Sequence, residues 1–163
     1  MKKIIFLALF SSYFLSISAY ASDKVYTNPK NSIKAGEYLS VIGGCHDCHT
    51  PNFAEKNGHV PEKDYLIGTP YGFKGPWGVT YPANLRLLVN EISPKAWVQI
   101  LKHNIGKPPM PWVATNKMSE EDLNSIYLYI KNLGPIGTKV PLATEPGQKA
   151  KTPFIYFVPV EEK

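Results

Sequence analysis

The run Cys45-His46-Asp47-Cys48-His49 places the chain's only two cysteines and two of its four histidines within one short segment. Two thiols three positions apart, with an imidazole at the next position, form the C-x-x-C-H pattern through which c-type haem is attached. The chemistry fits the spacing. Each thiol can form a thioether to one vinyl group of a single porphyrin. His49 then lies beneath the iron, where its Nε2 can coordinate. Three other readings compete on the same residues. A C-x-x-C pair can be a redox-active disulfide, but that chemistry normally sits in a βαβ unit. It can be half of a zinc site, yet there is no second cysteine pair, and His59 and His103 are not spaced to complete one. It can be a plain structural disulfide, although so small a loop would restrict the unfolded chain little. We read the motif as covalent attachment of one haem c by Cys45 and Cys48, with His49 as an axial ligand.

A haem iron held this way needs a sixth ligand. Apart from Met1 the chain has only Met110 and Met118. Met110 lies in Pro108-Pro109-Met110-Pro111, where proline on both sides stiffens the backbone and can hold a soft thioether at the iron. Met118 directly precedes the capping Ser119 and reads as a packing residue. His103, between Lys102 and Asn104, is the rival ligand. Its plainer reading is a solvated position on the polar side of a helix. His59 reads as an exposed loop residue, and His46, inside the attachment loop, as exposed too. A Met/His pair gives a higher potential than bis-His ligation, so the choice bears on the partners.

The elements that position these groups can be read from periodicity. In residues 32–43, Ala35, Tyr38, Leu39 and Ile42 fall on one helical face, with Ser32 as a cap and Gly43-Gly44 as a stop. Residues 50–85 show no sustained period and are punctuated by proline and glycine. A loop of this length inside a compact domain implies that it wraps something. Ser93-Pro94 opens a second helix through Ala96, Trp97, Ile100 and Leu101, stopped by Gly106. Residues 107–112 read as a stiff non-helical loop. Ser119 opens a third helix, whose stripe Leu123, Ile126, Tyr127, Ile130 and Leu133 ends at Gly134-Pro135. Residues 135–163 are Pro-rich, with a short apolar run at 154–158 that fits a strand or an extended tail packed on the body. The expectation is a mainly α protein: about three core helices, joined by long Pro/Gly-rich loops around one haem.

Aromatic side chains crowd the long loop at Tyr71, Phe73, Trp77 and Tyr81, and Trp112 follows the methionine. Flat rings fill space around a porphyrin, and Trp N–H or Tyr O–H groups can reach its propionates. Trp77, Tyr81 and Trp112 are therefore haem-pocket candidates, with Asn84 and Arg86 as further propionate partners. Aromatics also anchor any long loop to a core, and Arg86 reads equally as an ordinary surface charge.

Residues 1–21 read as a secretory signal peptide: Lys2 and Lys3, an apolar run, then Ala19-Tyr20-Ala21. Its removal would leave one haem domain over 32–134, preceded by a flexible lead-in at 22–31 and followed by a C-terminal extension at 135–163. No other segment approaches membrane-spanning length. This organisation implies an exported protein, placed in the periplasm, and argues against a cytosolic, multi-pass or multidomain one. The formal charge of +5 falls to +3 when Lys2 and Lys3 leave. Arg86 is the only arginine, so recognition of nucleic acid, which leans on arginine forks, is poorly supported. Scattered lysines fit a solvated surface or a weak docking patch for an acidic partner.

Taken together, the helix before Cys45-x-x-Cys48-His49, the Pro-rich Met110 loop and a last helix carrying Tyr127 and Tyr129 resemble the class I (mitochondrial-type) cytochrome c family over about residues 34–133. The resemblance implies that the first and last helices cross closely, Gly36 or Ala35 against Tyr127. The segment Gly75-Pro-Trp-Gly-Val-Thr-Tyr-Pro-Ala-Asn84-Leu looks like a loop of a bacterial subgroup whose members accompany membrane or periplasmic dehydrogenases. That subgroup's following Thr-Pro-Asp is replaced here by Arg86-Leu-Leu-Val. The implied function is a monohaem one-electron carrier, not itself an enzyme. It would pass electrons from a dehydrogenase to an oxidase or another cytochrome. Two alternatives stand beside it: a haem enzyme or gas sensor with an open sixth site, and a permanent subunit of a dehydrogenase complex.

Overall fold

The structure, a computed structural model, describes residues 32–159; residues 1–21, expected to be a signal peptide, the expected lead-in 22–31 and residues 160–163 lie outside the described residues. Ser32 caps α1 (Ile33–Ile42), its hydroxyl accepting from the Ala35 N–H at 3.0 Å. The Gly43-Gly44 turn leads at once into α2 (Cys45–His49). A single 3-10 turn, Glu62–Asp64, interrupts the loop that follows. β1 (Gly72–Gly75) and β2 (Gly78–Thr80) form an antiparallel hairpin. Then come α3 (Leu85–Glu91), α4 (Pro94–His103), α5 (Trp112–Lys117) and α6 (Glu120–Leu133). β3 (Phe154–Tyr156) joins β1 in parallel, giving the sheet order β2-β1-β3.

The architecture is thus mixed, with six α-helices and a small sheet among the described residues, where the sequence predicts three helices and loops. The three predicted helices are α1, α4 and α6, each opened by its serine cap. α4 ends at His103, earlier than Gly106. The helices not foreseen, α2, α3 and α5, are each seven residues or fewer, too short to establish a period. α3 is capped by the Asn84 side chain, which accepts from the Leu87 N–H at 3.1 Å.

α1 and α6 form the most extensive contact between elements. They meet at Gly36, where a Cβ would overlap the Ser125 carbonyl and press on Tyr129 Cβ. Glycine permits this approach. The aromatic at the crossing is therefore Tyr129, and the expected contact with Tyr127 is corrected. Tyr127 points instead to α3, its hydroxyl donating to the Val89 and Ile92 carbonyls at 3.0 and 3.1 Å. The main core runs through Leu39, Val89, Trp97, Leu101, Leu123 and Ile126. The Trp97 indole N–H is satisfied within it by the Leu123 carbonyl at 2.9 Å. No helix among the described residues is long and apolar enough to cross a membrane.

Candidate functional site

Residues 45, 48 and 49 fall on one side of α2, as 3.6-residue periodicity requires. All three line a cavity of about 390 Å³, within the usual range for small-molecule sites. Its wall is predominantly apolar, built from Leu88, Trp97, Leu101, Leu123 and Ile126 of the helical core. Cys45 and Cys48 are free thiols, not joined to each other. Burial pushes the Cys45 thiol up to about 11, with Asp47 and Cys48 adding to the rise, and moves Cys48 in the same direction. Both groups are therefore kept as neutral thiols. The motif follows a helix rather than a strand, unlike the βαβ setting of a redox disulfide.

His49 is almost fully buried. Its Nδ1 lies 2.8 Å from the Ala83 carbonyl, an acceptor only, so Nδ1 carries the proton and Nε2 keeps a free lone pair. Burial lowers its pKa, against a smaller opposite effect of that bond. The Gly68 N–H donates to the His49 carbonyl at 2.8 Å and fixes the backbone of the same residue. A neutral imidazole with one nitrogen anchored and the other free is the state a metal ligand requires.

Met110 lines the same cavity, as do Met118, Tyr81 and Trp112. The Trp112 N–H donates to the Lys107 carbonyl at 3.3 Å, bracing the methionine loop from within. The Tyr81 hydroxyl accepts from the Lys151 N–H at 3.2 Å. Trp77, Asn84 and Arg86 stand off the cavity wall. Trp77 packs over Gly75, and its buried indole N–H has no partner among the described residues. Asn84 Nδ2 donates to the Ile136 and Thr138 carbonyls. Arg86 is buried and donates to the Leu133 and Gly134 carbonyls at the C-terminus of α6, and to those of Glu62 and Lys63. It is a clamp on a helix end rather than a surface charge. His59 and His103 are exposed.

His46 corrects an expectation: it is 1% exposed rather than solvated. The turn of α2 points it away from the cavity, onto α1 and the following loop. Its Nε2 lies 3.2 Å from Ser40 Oγ and its Nδ1 2.9 Å from Thr50 Oγ1. The ring stacks on Phe53 and meets Tyr65 edge-on. The two hydroxyls settle its protonation. Ser40 donates to the Glu37 carbonyl at 2.7 Å, so it accepts from Nε2–H. Thr50 accepts from the Leu66 N–H at 2.8 Å, so its own proton is free for Nδ1. An unbroken donor chain thus runs from Leu66 to Glu37 through a neutral His46. The sequence signal was the pair of hydroxyl residues flanking the motif.

The site has two thiols and a free imidazole nitrogen at one wall, and a thioether from a distant loop at the same cavity. This donor set, on apolar walls, fits a haem. Over 137 residues the chain is 28% identical to the fructose dehydrogenase cytochrome subunit of Gluconobacter japonicus, covering 78% of this chain and 25% of that protein. The chain spans about a quarter of that relative's length. No protein-family profile and no solved structure matches.

Proposed function

We propose that the chain is a class I, monohaem c-type cytochrome of the periplasm, with Cys45 and Cys48 as thioether sites, His49 and Met110 as axial ligands, and residues 32–134 as the haem domain. The observation that carries this reading is that one cavity is lined by all four residues, although Met110 is far from the motif in sequence. When bound, haem supplies a ferric–ferrous couple that takes up and releases one electron. Ala83 orients His49 so that Nε2 faces the cavity. Met110 would hold the iron from the other side of the cavity with a soft thioether donor, which would raise the potential. With His49 and Met110 both holding the iron, no site would be left for a substrate atom. The apolar walls exclude water and keep reorganisation small. The redox partners would be a dehydrogenase as donor and an oxidase or another cytochrome as acceptor.

A second reading, a permanent subunit of a dehydrogenase complex, is favoured by the name of the relative. Size-exclusion of the native periplasmic fraction separates the two: a small monomer supports the free carrier, and co-elution with a dehydrogenase supports the subunit. The attachment itself is tested by acid-acetone extraction of protein matured in a host that attaches haem. Colour that stays with the polypeptide supports the thioethers. Colour that leaves with the solvent overturns them.

A further inference from the structure

After α6 the chain returns along the cavity side of the molecule. Asn84 holds its start through the Ile136 and Thr138 carbonyls. Ala143 then reaches the cavity wall. Thr144, 3% exposed, pairs with Val79 of β2. Its N–H donates to the Val79 carbonyl at 2.9 Å, and the Val79 N–H donates to its hydroxyl at 3.2 Å. Gly78 makes this approach possible: its φ is +96°, and a Cβ there would collide with the Thr144 carbonyl. The next residue, Glu145, pairs with Lys107 at 2.8 Å.

Lys107 and Pro108 lead directly into the Met110 loop. The Pro108 carbonyl accepts from the Thr80 hydroxyl at 2.7 Å, and Thr80 follows Val79 on the strand that Thr144 fixes. Two consecutive residues of the returning segment thus hold the methionine loop by two routes. Thr144 acts through β2 and Thr80; Glu145 acts directly on Lys107.

The geometry points to a strap: residues 143–145 hold the Met110 loop closed, with Thr80 and Lys107 as positioning residues that keep the thioether on the iron and small external ligands off it. The inference rests on Met110 being the sixth ligand. For an external ligand to replace Met110, the loop must swing outward, breaking the Thr80–Pro108 bond and the Lys107–Glu145 pair. The exposed ion pair contributes little and is screened by salt, so Thr80 carries most of the effect.

The test uses the full-length ferric holoprotein, with imidazole as the probe and the near-infrared band of Met-ligated ferric haem as the second readout. Thr80→Val should bind imidazole about fivefold to tenfold more tightly, the range that one hydrogen bond supplies, and weaken the band. Thr80→Ser should restore both. Glu145→Lys, at an exposed position, should tighten binding about twofold at low salt and not at high salt. Ser93→Ala, which removes the α4 cap remote from the loop, should lower stability and leave imidazole binding unchanged. Equal tightening by Ser93→Ala and Thr80→Val would mark a general loss of stability and overturn the strap. Met110→Ala separates the two levels. If it leaves the band intact, the ligand assignment is wrong and the strap falls with it. If it abolishes the band while Thr80→Val and Glu145→Lys match the unaltered protein, the assignment stands and the strap alone is refuted.

Discussion

The restraints on the Cys45–His49 side of the cavity are largely buried, whereas the contacts by which other segments grip the Met110 loop lie at the surface. α2 is held from behind by the Ser40–His46–Thr50 chain and from the side by the contacts of His49 with Ala83 and Gly68. The Met110 loop, braced from within by the part-buried Trp112–Lys107 bond, is held to its surroundings by an exposed hydroxyl bond and an exposed ion pair. Breaking a buried polar contact strands its partner away from water, whereas water replaces a broken surface contact. The Cys45–His49 side is therefore preformed and costly to disturb. The methionine side is adjustable, and small changes there should alter ligand access with little effect on the fold.

The largest expected effect lies beneath the Cys45–His49 side. Gly36→Leu forces a side chain into the Ser125 backbone at the α1–α6 crossing. It should lower stability by about 3 kcal/mol or more, or prevent folding, as read by thermal unfolding. Equal stability would show that the crossing does not hold α1 in place.

Acid should act on the same side. Burial, with a smaller contribution from His49, lowers His46 from 6.5 to about 4 in the folded state. The ring faces Phe53, Tyr65 and Tyr129, and among the described residues no carboxylate acts on it to stabilise its cation. Below 6.5 the unfolded chain takes up a proton that the folded one refuses. Stability is therefore full above 6.5 and falls as the pH drops toward 4, by about 3 kcal/mol in total. Denaturant titrations across that range measure the slope, and His46→Leu should flatten it. An unchanged slope in that variant would assign the acid sensitivity elsewhere. At pH 7 the same substitution should cost about 2 kcal/mol, because it leaves the Thr50 and Ser40 hydroxyls without their buried partner.

Legibility followed the same division between local and distant contacts. The attachment motif and the serine caps of α1, α4 and α6 are contiguous in sequence and could be read directly. His46 departs from its expected exposure although its partners, Ser40 and Thr50, lie only six and four residues away: the flanking hydroxyls are visible in the sequence, but the turn of α2 that aims the ring at them, and the packing of Phe53 and Tyr65 over it, are not. The reading of Arg86 as a surface charge fails for a long-range reason: its acceptors, Leu133 and Gly134, lie at the far end of α6. The extension was legible as a strand or a packed tail. Its parallel pairing with β1, and the reach of Glu145 to Lys107, depend on contacts between distant segments that no local pattern encodes.

The smallest effect belongs to the methionine side. Lys107→Ala should change global stability by less than about 1 kcal/mol, the ordinary worth of an exposed pair. A loss as large as that of His46→Leu would erase the contrast between the two sides.

Intact-mass spectrometry of the exported, denatured protein tests the central assignment most directly. The account predicts a polypeptide heavier by one haem, with the addition mapping to the peptide that carries Cys45 and Cys48. A bare polypeptide, or one lighter by two hydrogens through a Cys45–Cys48 disulfide, would contradict it.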